Sequence, residues 1–79
     1  MTGTLGTIGQ AIFEAHTQRY PDGLVTTKEA AGILRLRPSY LETLRCRGGG
    51  PEYVRHARRV FYQLRTLAEW ADSRTEFRQ

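Results

Sequence analysis

The chain has 79 residues, enough for one small hydrophobic core, and it carries 12 basic and 8 acidic residues with a net charge of +4. Its apolar runs are too short to span a membrane, and its first residues lack the basic and apolar segments of a signal peptide. The single cysteine cannot form an internal disulfide, which is typical of a reducing compartment. We therefore expect a cytoplasmic protein.

The basic residues are concentrated in one part of the sequence. Residues 35–65 contain eight Arg and two Glu, a net charge of +6, whereas the rest of the chain carries four basic and six acidic residues. Arginine suits planar, bidentate contacts with phosphate and guanine, so this distribution favours a nucleic-acid surface. The alternative interpretation is a solvated face that keeps the domain soluble.

The first 23 residues are predicted to form a flexible arm. Residues 1–9 are rich in Thr and Gly and offer little apolar surface for burial, so we expect disorder there. A short helix is predicted over 10–20, followed by a turn at the Pro-Asp-Gly sequence of 21–23. Residues 24–74 then form the folded domain, and residues 75–79 form a C-terminal tail.

Two short helices joined by a tight turn are predicted at the start of this domain. Thr26 and Glu29 have the spacing of a capping box, so one helix begins here and runs to about Leu34. Pro38 is favoured at the first position of a helix and Gly48 beyond its last turn, so a second helix ends at about residue 46 or 47. The side chains expected on the inner faces are those of Ala30, Ala31, Leu34, Leu41 and Leu44.

A β-hairpin and a last helix complete the predicted domain. On the second strand, alternation places Val60 and Tyr62 on one face and Phe61 on the other. The last helix is predicted from Leu64 to about Ser73. Its core-facing side chains are expected to be Leu64, Leu67, Trp70 and Ala71. The chain is therefore expected to be mainly α with a small β-hairpin, in the order of a winged helix-turn-helix domain.

Five short motifs between residues 24 and 73 resemble a known protein family more specifically than the order of helices and strands does. They are LVTTKEAA at 24–31, RPSYL at 37–41, RGGGP at 47–51, RRV at 58–60 and LAEW at 67–70. In this order they resemble the excisionase and AlpA-like group of MerR-type winged helix-turn-helix proteins. The resemblance implies DNA binding, with the second helix in the major groove and the hairpin, or wing, along the backbone or minor groove. It also implies a bacterial, phage or mobile-element protein associated with the nucleoid.

The sequence departs from the family pattern at three turn positions. Arg35 stands between the two helices where Gly is common, and a left-handed backbone there would cost a non-Gly residue about 1 kcal/mol. Arg37 replaces a frequent Ser before the second helix, so it cannot cap the helix but can reach DNA. Ala57 replaces a frequent Gly at the tip of the wing.

The candidate DNA contacts lie on three predicted elements. Early exposed positions of a second helix commonly touch base edges, and arginines near its end and in the wing suit phosphate. On the recognition helix the candidates are Arg37, Ser39, Tyr40, Glu42, Thr43, Arg45 and Arg47. In the wing they are Arg55, His56, Arg58 and Arg59, and at the start of the first helix they are Thr27 and Lys28. The alternatives are ordinary solvent exposure, a surface pair for Glu42 and a strand-edge charge for Arg59.

Catalytic and metal-binding roles find little support in the sequence. Cys46 is expected to be a small, partly buried residue, and neither His16 nor His56 has a partner at metal-ligand spacing. The chain shows no convincing nucleophile and base arrangement and no paired carboxylates. We therefore expect a protein that is not an enzyme and needs no cofactor.

The resemblance implies an excisionase, or recombination directionality factor, that bends attachment-site DNA and assists an integrase, a tyrosine recombinase. A small transcription regulator and a DNA-recognition subunit of a larger complex are the alternatives. One small domain reads few base pairs, so several copies are expected on adjacent sites. The candidates for self-association are Ile12, Phe13, Tyr53 and Phe61. The alternative is that Ile12 and Phe13 fold back onto Phe61 of the same chain.

Overall fold

The structure is a computed structural model that describes residues 5–74. These residues form four helices and three short strands, so this part of the chain is mainly helical with a small antiparallel sheet. The elements are α1 (Thr7–His16), β1 (Leu24–Thr26), α2 (Thr27–Leu34), α3 (Pro38–Arg47), β2 (Val54–His56), β3 (Arg59–Gln63) and α4 (Leu64–Arg74). Residues 1–4 and the predicted tail at 75–79 lie outside the described residues.

The sheet contains one strand more than the predicted hairpin. Its strand order is β1-β3-β2, and both pairings are antiparallel. In β1, Val25 lies opposite Tyr62, and each of these side chains is 1% exposed. The sequence does not reveal β1, because a three-residue strand is too short to show alternation and runs directly into α2.

The predicted starts and ends of α2 and α3 are confirmed. The Thr26 hydroxyl accepts from the backbone N–H of Glu29 at 3.2 Å, and the Glu29 carboxylate accepts from the N–H of Thr26 at 2.9 Å. Pro38 occupies the first turn of α3, and Gly48 ends that helix with a left-handed φ of 79°. Local capping chemistry therefore sets these boundaries, which is why the sequence predicts them.

Two residues without the freedom of glycine adopt left-handed backbone conformations. Arg35 has a φ of 61° and Ala57 a φ of 57°. At the end of α2, the N–H of Leu36 donates to the Ala31 carbonyl at 2.8 Å, and the N–H of Arg35 donates to Gly32. This pair of bonds is a Schellman motif. The turn thus keeps the shape that Gly favours, at a cost of about 1 kcal/mol for the Cβ of Arg35.

The core lies between the inner face of the sheet and the helices α2, α3 and α4. The largest fully buried side chains are Val25, Leu41, Tyr62, Leu64 and Leu67. The predicted inner faces of α2 and α3 are confirmed at Ala30, Ala31 and Leu41, whereas Leu34 and Leu44 pack against the core partly buried. Ile33 and Ala68 are also buried and are absent from the predicted set.

Trp70 and Ala71 are less buried than predicted. Both side chains are half-buried, whereas Leu67 and Ala68 on the same helix are 0% exposed. Trp70 and Ala71 lie on the side of α4 that lines a groove beside α1. The helical spacing identifies an apolar face correctly, but it does not show which edge of that face the neighbouring helix leaves open.

The predicted N-terminal arm is a helix packed on α4 over its described residues. α1 spans Thr7–His16 rather than the predicted 10–20, Leu5 is buried, and α1 packs most extensively against α4. The N–H groups of Gly6 and Gly9 donate to the Asp72 carboxylate at 2.6 and 2.7 Å. A Cβ on Gly9 would lie 2.7 Å from the Ala68 carbonyl. The glycines that suggest disorder in the sequence therefore permit close helix packing.

Phe61 lies on the face of β3 opposite Tyr62, as the alternation predicts. Its cross-strand partners are Val54 on β2 and Thr26 at the end of β1. Ile12 and Phe13 pack against the hydrophobic core instead of extending from the domain as an arm. Part of the apolar surface of Ile12 and Phe13 is therefore buried within the same chain.

Candidate nucleic-acid interface

Helix α3 turns one face into the core and leaves the other in solvent. Leu41 is 0% exposed and anchors the helix, whereas Tyr40 is 44% exposed. The candidate base contacts Ser39, Tyr40, Glu42 and Thr43 are all exposed. The Thr43 hydroxyl donates to the Ser39 carbonyl at 3.0 Å, and its oxygen remains available as an acceptor. The early turns of α3 therefore present hydroxyl, phenol and carboxylate groups together on a solvent-facing surface.

The two ends of α3 carry exposed arginines. Arg37 precedes the helix with an extended backbone and makes no side-chain cap hydrogen bond, as expected for a residue that cannot cap. Arg47 is exposed in the last turn. Lys28 is exposed in the first turn of α2, next to the half-buried Thr27. Arg37 and Arg47 lie at the two ends of α3, and all three cations are exposed.

The hairpin carries its cations on both faces of the sheet. Arg55 pairs with Val60, which faces the core side, whereas His56 pairs with Arg59 on the side of Phe61. All four candidate wing residues, Arg55, His56, Arg58 and Arg59, are exposed. The Arg59 guanidinium lies 5.9 Å from the centre of the Phe61 ring. The hairpin can therefore present positive charge to a polyanion from either side of its tip.

Arg45 differs from the other candidate arginines because its guanidinium is engaged within the fold. Its Nη1 donates to the Tyr62 hydroxyl at 2.9 Å and lies 3.5 Å from the Thr27 hydroxyl. The same guanidinium lies 5.5 Å from the centre of the Tyr53 ring. The half-buried Arg45 thus connects α3 to β3, to the start of α2 and to the segment before β2. This geometry favours a positioning role over the expected phosphate contact.

Tyr53, one of the candidates for self-association, lies beside Tyr62 rather than beside Phe61. Its ring centre is 6.3 Å from that of Tyr62, and it lies against Arg45. The strand begins one residue later, at Val54, and Val54 is the residue opposite Phe61. The apolar pair on the outer face of the sheet is therefore Phe61 with Val54, which is 44% exposed.

The glycine run after α3 fixes the path of the chain into the hairpin. Gly48 ends the helix, and a Cβ on Gly50 would lie 2.8 Å from the Cβ of Leu44. Pro51 is buried. The sequence predicts the helix end at Gly48, but the close approach of Gly50 to Leu44 has no local pattern that reveals it.

Cys46 is exposed, which corrects the expectation of a partly buried residue. Its neighbours Leu44 and Arg45 are the half-buried residues at this end of α3. Within residues 5–74, no group of three His, Cys, Asp or Glu side chains is placed to hold a metal ion. In the same part of the chain, no helix is long and apolar enough to cross a membrane.

Comparisons of the chain with protein-family models and with curated proteins found no match. The function proposed below is therefore supported by the motifs of the sequence and by the geometry of α3 and the hairpin.

Proposed function

We propose that this chain is a sequence-specific DNA-binding protein with a winged helix-turn-helix fold. In this proposal α2, the turn at Arg35 and α3 form the helix-turn-helix, and β2 with β3 forms the wing. The observation that carries the proposal is the group of exposed arginines on α3 and the hairpin, in a segment of net charge +6. Positive charge concentrated on one helix and an adjoining hairpin matches the polyanionic, grooved surface of duplex DNA.

The exposed face of α3 suits base recognition. Tyr40 and Thr43 project from a helix whose opposite side is fixed by the buried Leu41, so their positions are set by the core. Hydroxyl groups can donate to or accept from base edges in the major groove, and the Glu42 carboxylate can accept from a cytosine amino group. Arg37 and Arg47 suit phosphates on either side of that groove.

The wing suits sequence-independent contact with the DNA backbone. Arg55, Arg58 and Arg59 are exposed around a short tip, where their guanidinium groups can contact backbone phosphates beside the groove that α3 would enter. Arg45 supports the same docking indirectly, because its bond to Tyr62 joins the reading helix to the wing.

Within this class we propose an excisionase that binds and bends attachment-site DNA to assist an integrase. The support is the motif resemblance together with the small reading surface of the ten-residue α3. A helix of this length contacts few base pairs, so useful specificity requires several copies on adjacent sites. Such an array bends DNA through repeated backbone contacts.

Adjacent copies are proposed to touch through the outer face of the sheet. Phe61 and the 44% exposed Val54 form an apolar pair there, beside the edge strand β2. Phe61→Lys should abolish cooperative binding to a long duplex while leaving single-site affinity nearly unchanged. Cooperativity that survives this change would assign the contact to another surface.

The salt dependence of DNA affinity tests the proposed function directly. Binding to a duplex that contains the target should weaken steeply between low and moderate salt, because phosphate contacts release counterions. Replacing both Arg58 and Arg59 by Ala should lower the slope of log affinity against log salt by about 2, or about 1 for each lost phosphate contact. A flat salt dependence of the unmodified protein would reject DNA binding.

Base recognition by α3 needs a separate measurement. Thr43→Ala should change the preference at one base pair by about 1–3 kcal/mol, whereas Arg58→Ala should weaken all sequences equally. Affinities for a panel of single-base-pair variants of the target distinguish these outcomes. If Thr43→Ala also weakens every sequence equally, α3 is not the reading helix.

A further inference from the structure

A groove of about 680 Å³ lies away from the hairpin, between α1, α4 and the turn that leads into α3. Its lining includes the apolar side chains of Ile8, Ile12, Leu36 and Trp70. Ile8 is 38% exposed and Trp70 is half-buried, so apolar surface remains open to solvent along the groove. A volume of this size is typical of a binding groove rather than a packing defect.

The polar groups at this groove have one sign of charge. Among the described residues that line it, Arg35 and Arg74 carry positive charge, and none is acidic. Arg35 and Arg74 are exposed, and the Arg74 guanidinium lies 5.3 Å from the centre of the Trp70 ring. The groove therefore combines an apolar floor with cations at its opening.

We propose that this groove binds an amphipathic segment of another protein, with aliphatic or aromatic anchors flanked by acidic side chains. The apolar floor would take the anchors, as in helix-in-groove recognition. The cations would pair with the acidic flanks and disfavour basic segments. Nucleic acid lacks the aliphatic anchors that Ile8, Ile12 and Leu36 would cover, so charge complementarity and apolar burial together select a protein segment.

The groove lies next to the start of α3, so a bound segment would contact residues at that end of the helix. Tyr40 is among its lining residues and also lies in the first turn of α3, and Arg35 forms the turn before that helix. An occupant would therefore touch the residues that set the start of α3. This proposal stands without the proposed DNA function, because it depends on the groove alone.

Trp70 is the only tryptophan in the chain, so its fluorescence reports directly on the groove. The probe is a synthetic helical peptide with Leu at positions i, i+3, i+4 and i+7, flanked by Glu. A matched peptide has Lys in place of every Glu. In a titration without DNA, the Glu peptide should shift Trp70 emission and bind at least about tenfold more tightly than the Lys peptide.

Variants then locate the binding. Arg74→Gln should weaken the Glu peptide several-fold, and Arg35→Gly should do the same while keeping the left-handed turn. The matched control is Arg19→Gln, because Arg19 also lies over an aromatic ring, that of Tyr20, but outside the groove. This control should leave the affinity for the peptide unchanged. Circular dichroism establishes that each variant remains folded.

Three outcomes would overturn the proposal. The first is an absence of any Trp70 response to the Glu peptide at millimolar concentration. The second is equal affinity for the Glu and Lys peptides, which would remove the charge argument. The third is dimerisation of the free protein that changes Trp70 emission and is lost on Arg74→Gln, which would assign the groove to a second copy. None of these outcomes bears on DNA binding, which the salt titration tests separately.

Discussion

The α1–α4 side and the α3–hairpin side of this small domain are held together by different kinds of interaction. Where α1 meets α4, Gly9 allows the two backbones to approach, and the Asp72 carboxylate accepts from two N–H groups of the α1 N-terminal turn. On the other side, α3 is fixed by Leu41 and Arg45 and leaves most of its polar side chains in solvent. The α1–α4 side is thus held by close backbone contacts, whereas the α3–hairpin side leaves polar side chains exposed.

Backbone strain and charge follow the same division. Arg35 and Ala57, the non-glycine residues with left-handed backbones in the described chain, lie in the turn between α2 and α3 and in the hairpin. Seven of the eight arginines of residues 35–65 lie between the end of α2 and β3, whereas Arg65 lies on α4 with the acidic Glu69 and Asp72. Left-handed backbones at non-glycine residues lower stability, so we infer that the α1–α4 packing compensates for the strained turns on the α3–hairpin side.

The largest expected effect is on the close approach of α1 and α4. Gly9→Ala should destabilise the domain by about 1–3 kcal/mol, because its Cβ would collide with the Ala68 carbonyl and the Asp72 side chain. The matched control is Gly32→Ala in α2, where a Cβ meets nothing within 4 Å. That variant should be stabilised by about 0.5–1 kcal/mol through helix propensity. Urea denaturation measures both, and equal effects would mean that α1 is not closely packed.

The next effect concerns the carboxylate that caps α1. Asp72→Ala should cost about 1–2 kcal/mol, because it leaves the N–H groups of Gly6 and Gly9 without their acceptor. Protection of the α1 amides from hydrogen exchange should fall more than that of α3 amides. If both helices lose protection equally, the two sides unfold as a single unit and the division proposed here fails.

The sequence predicts those parts of the fold that local chemistry determines. Capping residues fix α2 and α3, alternation fixes the faces of β3, and the apolar spacing of Leu64 and Leu67 fixes α4. The docking of α1 depends on Gly9 meeting Asp72, residues 63 apart in the chain, and no local pattern reveals such a contact. The glycine content of that segment instead suggests disorder, whereas α1 begins at Thr7 and Leu5 is buried.

In the candidate site, too, the sequence predicts local features but not contacts between distant residues. Exposure of Ser39, Tyr40 and Thr43 follows from helical periodicity around Leu41 and is confirmed. The engagement of Arg45 by Tyr62 and Tyr53 does not follow, because it joins three elements that only the tertiary fold brings together. Composition identifies a cationic segment, but it does not separate arginines held inside the fold from those presented to solvent.

A smaller effect should come from the hydrogen bond that joins α3 to β3. Tyr62→Phe removes the hydroxyl that Arg45 donates to and should cost about 1 kcal/mol, because the half-buried guanidinium loses an acceptor. Arg45→Met should cost a similar amount, and the double variant should cost less than the sum of the two. Thermal denaturation of the four proteins completes this cycle. Additive costs would show that the bond contributes nothing to stability.

The smallest expected effect has the opposite sign and lies in the turn between α2 and α3. Arg35→Gly should stabilise the domain by up to about 1 kcal/mol, because glycine adopts the φ of 61° without a Cβ clash. Gly48→Ala is the matched control, since it adds a Cβ at a φ of 79° in open space and should destabilise the domain by a similar amount. Both changes are measured as shifts in Tm. A destabilising Arg35→Gly would mean that contacts of the arginine side chain outweigh the backbone strain, so the turn between α2 and α3 would not lower stability.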